Sequence, residues 1–170
     1  VISVWSNILK KINGSKLILK SSKIKHGLDR LKALFKENGV LDSIKFIGRE
    51  KEFKDHLNAY NEIDIALDTF PYNGVTTSFE AIWMGVPVLT MSGYNFNSRC
   101  GESINRNLGM DQMIARDESD YVKKIVNLSK KHDDYIKLRK FVYENALKSP
   151  LFDKHDYSKS FFEAIDQIVK

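Results

Sequence analysis

Cysteine is almost missing: Cys100 is the only one in 170 residues. No internal disulfide can form, and the chain suits a reducing compartment. A lone thiol with no base beside it in the sequence reads as a packing residue rather than a nucleophile. No apolar run approaches the roughly 20 residues that a membrane span needs. No basic-then-apolar signal segment follows Val1. These absences predict no membrane association and a cytoplasmic location, for a chain that reads as a piece of a longer protein.

Several motifs are absent too. There is no G-x-G-x-x-G dinucleotide pattern and no P-loop ending in glycine, lysine and serine. His26, His132 and His155 share no spacing with one another or with the cysteine, so no metal site is indicated. No Ser-His-Asp order stands out, and no carboxylate pair is placed for acid–base hydrolysis. The net charge is +5, but the lysines are spread out. Some have acidic neighbours, as Glu118 and Asp120 precede Lys123 and Lys124. That is a solvated face rather than a basic stripe with interleaved aromatics, so nucleic acid is not an expected partner. The same modest positive field suits a phosphate-bearing small ligand.

What is present is a 42% hydrophobic, 29% charged chain, long enough for one domain with a proper core. It is organised around residues 63–91, IDIALDTFPYNGVTTSFEAIWMGVPVLTM. Ile63 to Thr69 reads as a buried strand and Phe70 to Val75 as a turn. Thr76 to Met84 reads as a helix stopped by Gly85, and Val86 to Met91 as a second strand. Strand, glycine loop, helix, strand is a βαβ unit. Its loop belongs at the carboxyl end of a parallel strand, where open α/β sheets bind ligands.

The rest alternates in the same way. Helical spacing covers Val4 to Ile12, strands cover Lys16 to Lys20 and Ile44 to Ile47, and Leu28, Leu31, Leu34 and Phe35 give a helix between them. A further helix is expected from Phe53 to Tyr60, and another from Ser98 to Asn107 with a short edge strand near Met113 to Ala115. Helices then finish the chain, the last from Ser158 to Val169 with Phe161, Phe162, Ile165 and Ile168 on one face. The fold predicted is α/β: a Rossmann-like doubly wound parallel sheet with carboxyl-terminal helices, one domain over residues 1–170.

The candidate site is the loop and helix start. Gly74 permits tight backbone geometry and close approach of a ligand. The amides and hydroxyls that follow, on Thr76 and Thr77, either cap the helix or bind a phosphate oxygen. Glu80, one turn further on, is an ordinary helical glutamate or an acceptor for a ribose diol. Asp68, at the end of the strand, orients a ligand or pins the loop's own amides. His56 falls after the second strand and is a surface histidine or part of the same rim. On these residues alone the chain has a phosphate-friendly loop but no assigned reaction.

The central wording adds more. LDTFPYNGVTT at Leu67 to Thr77 and FEAIWMGVPVLTM at Phe79 to Met91 resemble the catalytic region of the O-linked N-acetylglucosamine transferase and SPINDLY family. SRCGESI at Ser98 to Ile104, LGM at Leu108 to Met110 and SPLFD at Ser149 to Asp153 continue the resemblance. So do Trp5 to Lys20 and Asp55 to Leu57, so that it covers nearly the whole chain. The resemblance implies the carboxyl-terminal half of a two-domain GT-B glycosyltransferase, often preceded by tetratricopeptide repeats. Such an enzyme moves N-acetylglucosamine or fucose from a nucleotide-sugar to Ser or Thr of an acceptor protein, by inversion.

The resemblance further implies that Thr76 and Thr77 meet the donor phosphates, that Glu80 takes the ribose and that His56 lies against the base. Gly74 gives the loop its shape. The nucleotide-sugar, UDP-N-acetylglucosamine or another, is a substrate, and no cofactor or metal is implied. Val75 stands where the animal enzyme has a histidine, which tells against UDP-N-acetylglucosamine as the donor. Partners implied are the acceptor protein and, in cis, an amino-terminal catalytic domain and repeats, without which this chain alone is expected to be inactive. The alternatives are a non-catalytic Rossmann-like module binding a nucleotide or a protein, and a GT-B enzyme with a different acceptor.

Overall fold

The computed structural model describes residues 1–20, 25–48 and 50–169, and the side chain of His26 lies outside what it describes. The amino-terminal region runs α1 (Ile2–Lys11), β1 (Leu17–Lys20), α2 (Lys25–Glu37) and β2 (Ile44–Ile47). The central unit follows as α3 (Phe53–Asn58), β3 (Ala66–Leu67), α4 (Thr76–Trp83) and β4 (Val88–Met91). The chain ends with α5 (Cys100–Asn107), β5 (Ile114–Ala115), α6 (Glu118–Ser129), α7 (His132–Asn145) and α8 (Lys154–Val169). Every strand pair is parallel, as the alternation of elements requires.

The sheet comes in two pieces among the described residues. One holds β1 and β2, and the other has the order β3, β4, β5. Val88, Leu89 and Thr90 of β4 are all buried, the mark of a parallel strand covered on both faces. The helices α4, α5 and α6 pack on it, and α6 carries α1 against it. The long apolar run at Ile63 to Thr69 forms a ladder only at Ala66 and Leu67. Its remaining residues border a gap between the two pieces of sheet.

α4 stops where its glycine is. Gly85 sits at φ 72°, its N–H donating to the Ile82 carbonyl at 2.9 Å and that of Val86 to Ala81 at 2.8 Å. A left-handed residue with two such back-bonds closes a helix, and glycine adopts it without a Cβ penalty. Downstream, the SPLFD segment turns back on this helix. The Phe152 ring meets Phe79 at 5.7 Å and Trp83 at 5.4 Å between centroids, both edge-on. The carboxyl-terminal turn thereby braces the helix that bears Thr76 and Glu80.

α8 has the expected apolar register but not the expected burial. Phe161, Phe162, Ile165 and Ile168 are all exposed, and no residue of the helix is buried. Periodicity specifies an amphipathic helix, whereas burial depends on a surface that this region of the chain does not supply. Among the described residues no helix is long and apolar enough to cross a membrane.

Candidate functional site

Asp68 leaves β3 and is 6% exposed. Its carboxylate accepts the Gly74 N–H at 2.6 Å and the Thr90 hydroxyl at 2.7 Å. Its carbonyl takes the Tyr121 hydroxyl at 2.9 Å. Burial pushes the Asp68 carboxyl above the usual carboxylate range, and the bonds from Gly74 and Thr90 partly offset this. So the side chain that leaves the strand is tied to the loop's own backbone.

Asn73 ties the other side. Buried at 1% exposure, it donates to the Thr69 carbonyl and accepts the Gly101 amide. Two glycines are dictated by these ties. A Cβ on Gly74 would come within 2.6 Å of the Thr77 hydroxyl oxygen and 3.3 Å of the Asp68 carboxylate. A Cβ on Gly101 would lie 2.2 Å from the Thr90 hydroxyl oxygen and 2.4 Å from the Asp68 carboxylate. The glycine of the SRCGESI stretch is thus a contact of the loop anchor.

Beyond the loop, α4 begins with no side-chain cap; Val75 occupies the capping position. The Ser78 and Phe79 amides already donate to the Val75 carbonyl, and the Ser78 hydroxyl turns back to Gly74. Thr76 and Thr77 are exposed at the open end. Capping therefore does not account for them. A helix start with exposed hydroxyls and outward amides attracts an anionic oxygen.

His56 and Glu80 meet one turn further along. Nε2 of His56 lies 2.8 Å from Oε2 of Glu80, and Nδ1 lies 2.6 Å from the Lys20 ammonium. A lysine ammonium can only donate, so Nδ1 is assigned as the acceptor and the ring proton to Nε2, facing the carboxylate. The Tyr60 hydroxyl donates to the same Glu80 oxygen at 3.0 Å and approaches the Thr77 carbonyl at 3.3 Å. Burial and that carboxylate hold the Tyr60 phenol above its ordinary range, so it stays a donor.

His56, Gly74, Thr76, Thr77, Glu80 and Asp68 thus share one rim at the carboxyl ends of β1 and β3. Lys20 and Tyr60 belong to it as well and were missed in the sequence. Tyr60 follows His56 by four residues, the spacing that puts two side chains on one helical face, and their rings are 5.7 Å apart. Lys20 ends the strand β1, and that position was its only signal. Cys100 is partly exposed, its thiol against the Phe96 carbonyl.

Comparison with known proteins decides the family. The model of glycosyl transferase family 41 matches residues 1–161. This chain belongs to glycosyl transferase family 41. A protein named "Probable UDP-N-acetylglucosamine--peptide N-acetylglucosaminyltransferase SPINDLY" from Solanum lycopersicum is 34% identical to the family 41 chain over 166 residues, covering 94% of it. A protein of the same name from Eustoma exaltatum subsp. russellianum is 36% identical over 159 residues, covering 90%. The chain spans 18% and 17% of these two relatives' lengths.

In structure the family 41 chain resembles a mutant Thermobaculum terrenum O-GlcNAc transferase, with a TM-score of 0.90 at 27% identity. That match covers 98% of this chain and 32% of the other. S. aureus TarM shares the fold at a TM-score of 0.66 and 17% identity, over 86% of this chain and 28% of that one. The fold is the Rossmann-like half of a GT-B glycosyltransferase, as the resemblance implied.

Proposed function

We propose that this chain is the donor-binding domain of a protein O-glycosyltransferase and that the rim just described holds a nucleotide-sugar. The observation that carries the reading is the uncapped start of α4, with exposed Thr76 and Thr77 beside the His56–Glu80 pair. The diphosphate sits at the helix start, where amides and hydroxyls converge. Glu80, oriented by Tyr60 and His56, takes the ribose hydroxyls, and His56 borders the base. The names of the two SPINDLY relatives, which specify a UDP-N-acetylglucosamine donor and a peptide acceptor, support the reaction class.

The reaction is an inverting transfer. An acceptor hydroxyl of Ser or Thr attacks the anomeric carbon, and the bond to the nucleoside diphosphate breaks. Negative charge grows on the leaving phosphate oxygen, and the Thr76 end of α4 stabilises it. Removing one positioned donor of this kind typically costs about a hundredfold in rate. Val75 supplies no imidazole, so the donor base and sugar are left to experiment.

The test is calorimetric titration of the full-length protein with UDP, GDP, UDP-N-acetylglucosamine and GDP-fucose, beside Thr76→Val/Thr77→Val. One nucleotide should bind, and the double variant should lose at least tenfold in affinity while keeping its fold. Equal binding by the double variant, or no nucleotide binding at millimolar concentration, would sink the proposal.

A further inference from the structure

Tyr94 and Phe96 stand in water, at 87% and 84% exposure. Single exposed apolar side chains need no explanation, but two rings on one short loop make a patch. The loop joins β4 to α5. From Ser92 to Ser98 it carries no charge, and Asn95 and Asn97 alternate with the rings, exposed like them.

Hydrogen bonds tie this loop along its length. The Ser92 amide donates to the Ala115 carbonyl at 2.9 Å. The Ser98 amide donates to the Asn95 side-chain oxygen and the Asn95 amide to the Ser98 hydroxyl, both at 3.0 Å. The Asn97 carbonyl accepts the Asn73 amide at 3.0 Å. Tyr94 and Phe96 therefore flank the residue whose side chain closes the turn. Rings set out on a backbone already tied down lose little freedom when something covers them.

The bond from Asn73 also sets where the rings stand. Asn73 precedes Gly74 in the loop that delivers Thr76 and Thr77, and its side chain accepts the Gly101 amide near the start of α5. The aromatic loop thus borders the phosphate end of the rim. Tyr72 and Val75, on the neighbouring loop, are exposed as well. A sugar whose phosphate rests at the start of α4 has its anomeric carbon close to that end. The acceptor hydroxyl must come to that carbon, and three flanking residues of an extended acceptor reach about 10 Å further.

We propose, resting on the rim as a donor site, that Tyr94 and Phe96 bind the acceptor polypeptide beside the Ser or Thr that receives the sugar. The rings cover apolar side chains or backbone of the acceptor, and the Asn97 amide pairs with its peptide groups. The chemistry of the loop selects this partner. An uncharged loop attracts no nucleic acid, whose binding is dominated by phosphate contacts. A permanent contact with another domain buries a more hydrophobic face. Rings alternating with amides instead make an adaptable, partly wet contact that accepts many sequences.

The test compares the full-length protein with Tyr94→Ser/Phe96→Ser and with Tyr94→Phe/Phe96→Tyr. The probe is a synthetic peptide library with one central Ser or Thr between randomised residues, offered with radiolabelled UDP-N-acetylglucosamine or GDP-fucose. The serine variant should raise KM for the peptides about tenfold or more and leave kcat in place. The conservative variant should recover most of that difference. Calorimetry with UDP and GDP should give affinities within about twofold of the parent's, and the urea midpoint should not move. An unchanged KM with nucleotide binding intact overturns the acceptor role and leaves the donor site standing. A parallel fall in nucleotide affinity assigns the loop to the donor, and a lowered urea midpoint shows the rings covered by the rest of the protein; either overturns it. A parent that binds no nucleotide removes the donor site, and the acceptor role with it.

Discussion

Replacing Asp68 tests the loop anchor on which the whole candidate site hangs. In Asp68→Ala the half-buried Gly74 amide and the fully buried Thr90 hydroxyl lose their acceptor. Two hydrogen bonds to a charged group are worth about 1.5–3 kcal/mol each. The cost of burying the carboxylate, which raises its pKa, offsets part of that, but alanine leaves the Gly74 N–H and the Thr90 hydroxyl without an acceptor. A net loss of about 3 kcal/mol is expected. Asp68→Asn keeps one acceptor for Gly74 and turns an amide toward Thr90, whose hydroxyl can rotate to accept. It should cost about 1 kcal/mol or less.

The pH dependence has a definite sign. The folded pKa lies above the unfolded one, so this group's contribution is complete below the ordinary aspartate range. It declines as pH rises through the raised folded value. Asp68→Asn should abolish that decline. The assay is urea denaturation of the full-length protein and both variants, followed by circular dichroism with the slope checked for constancy. If Asp68→Ala and Asp68→Asn fall together, or if the alanine variant stays within about 0.5 kcal/mol of the parent, the anchor does not hold the loop as argued.

Other expectations are independent of that one. Gly101→Ala should destabilise by about 2–3 kcal/mol, since its Cβ would lie 2.2 Å from the Thr90 hydroxyl oxygen and 2.4 Å from the Asp68 carboxylate, both on buried residues; a melting temperature equal to the parent's would contradict this. Glu102, held down to about 2 by the Ser92 hydroxyl and then by Arg99 and Arg106, contributes stability above its ordinary pKa of 4.5 that is lost as pH falls through about 2. Both arginines are 60% exposed, so Glu102→Gln should cost only about 1–2 kcal/mol at pH 7. The cost should shrink at pH 2, as read from denaturation midpoints at the two pH values. Glu80→Ala should erase roughly tenfold discrimination between the bound nucleotide and its dideoxy analogue; calorimetry showing the preference intact would remove Glu80 from the ribose.

The site was partly legible in sequence because its central elements are contiguous. Gly74, Thr76, Thr77 and Glu80 fall within seven residues, and loop chemistry and helical spacing alone place them together. Tyr60 and Lys20 were not legible as site residues. They arrive from two other elements, 20 and 36 residues from their partners Glu80 and His56. Asp68 was visible but its role was open, since an aspartate after a strand reads the same whether it faces a ligand or its own loop.

Local chemistry determined much of this protein. Apolar period gave the helices, β-forming runs gave the strands, and Gly85 gave the stop to α4, because each depends on a few adjacent dihedral angles and side chains. Tertiary structure decided which of those elements found a surface. It drew Gly101 against Asp68 and Thr90, set Phe152 on α4, left the apolar face of α8 exposed and opened a groove between β1 and β3. Those outcomes depend on residues far apart in the chain meeting in space, and local periodicity does not encode which residues meet.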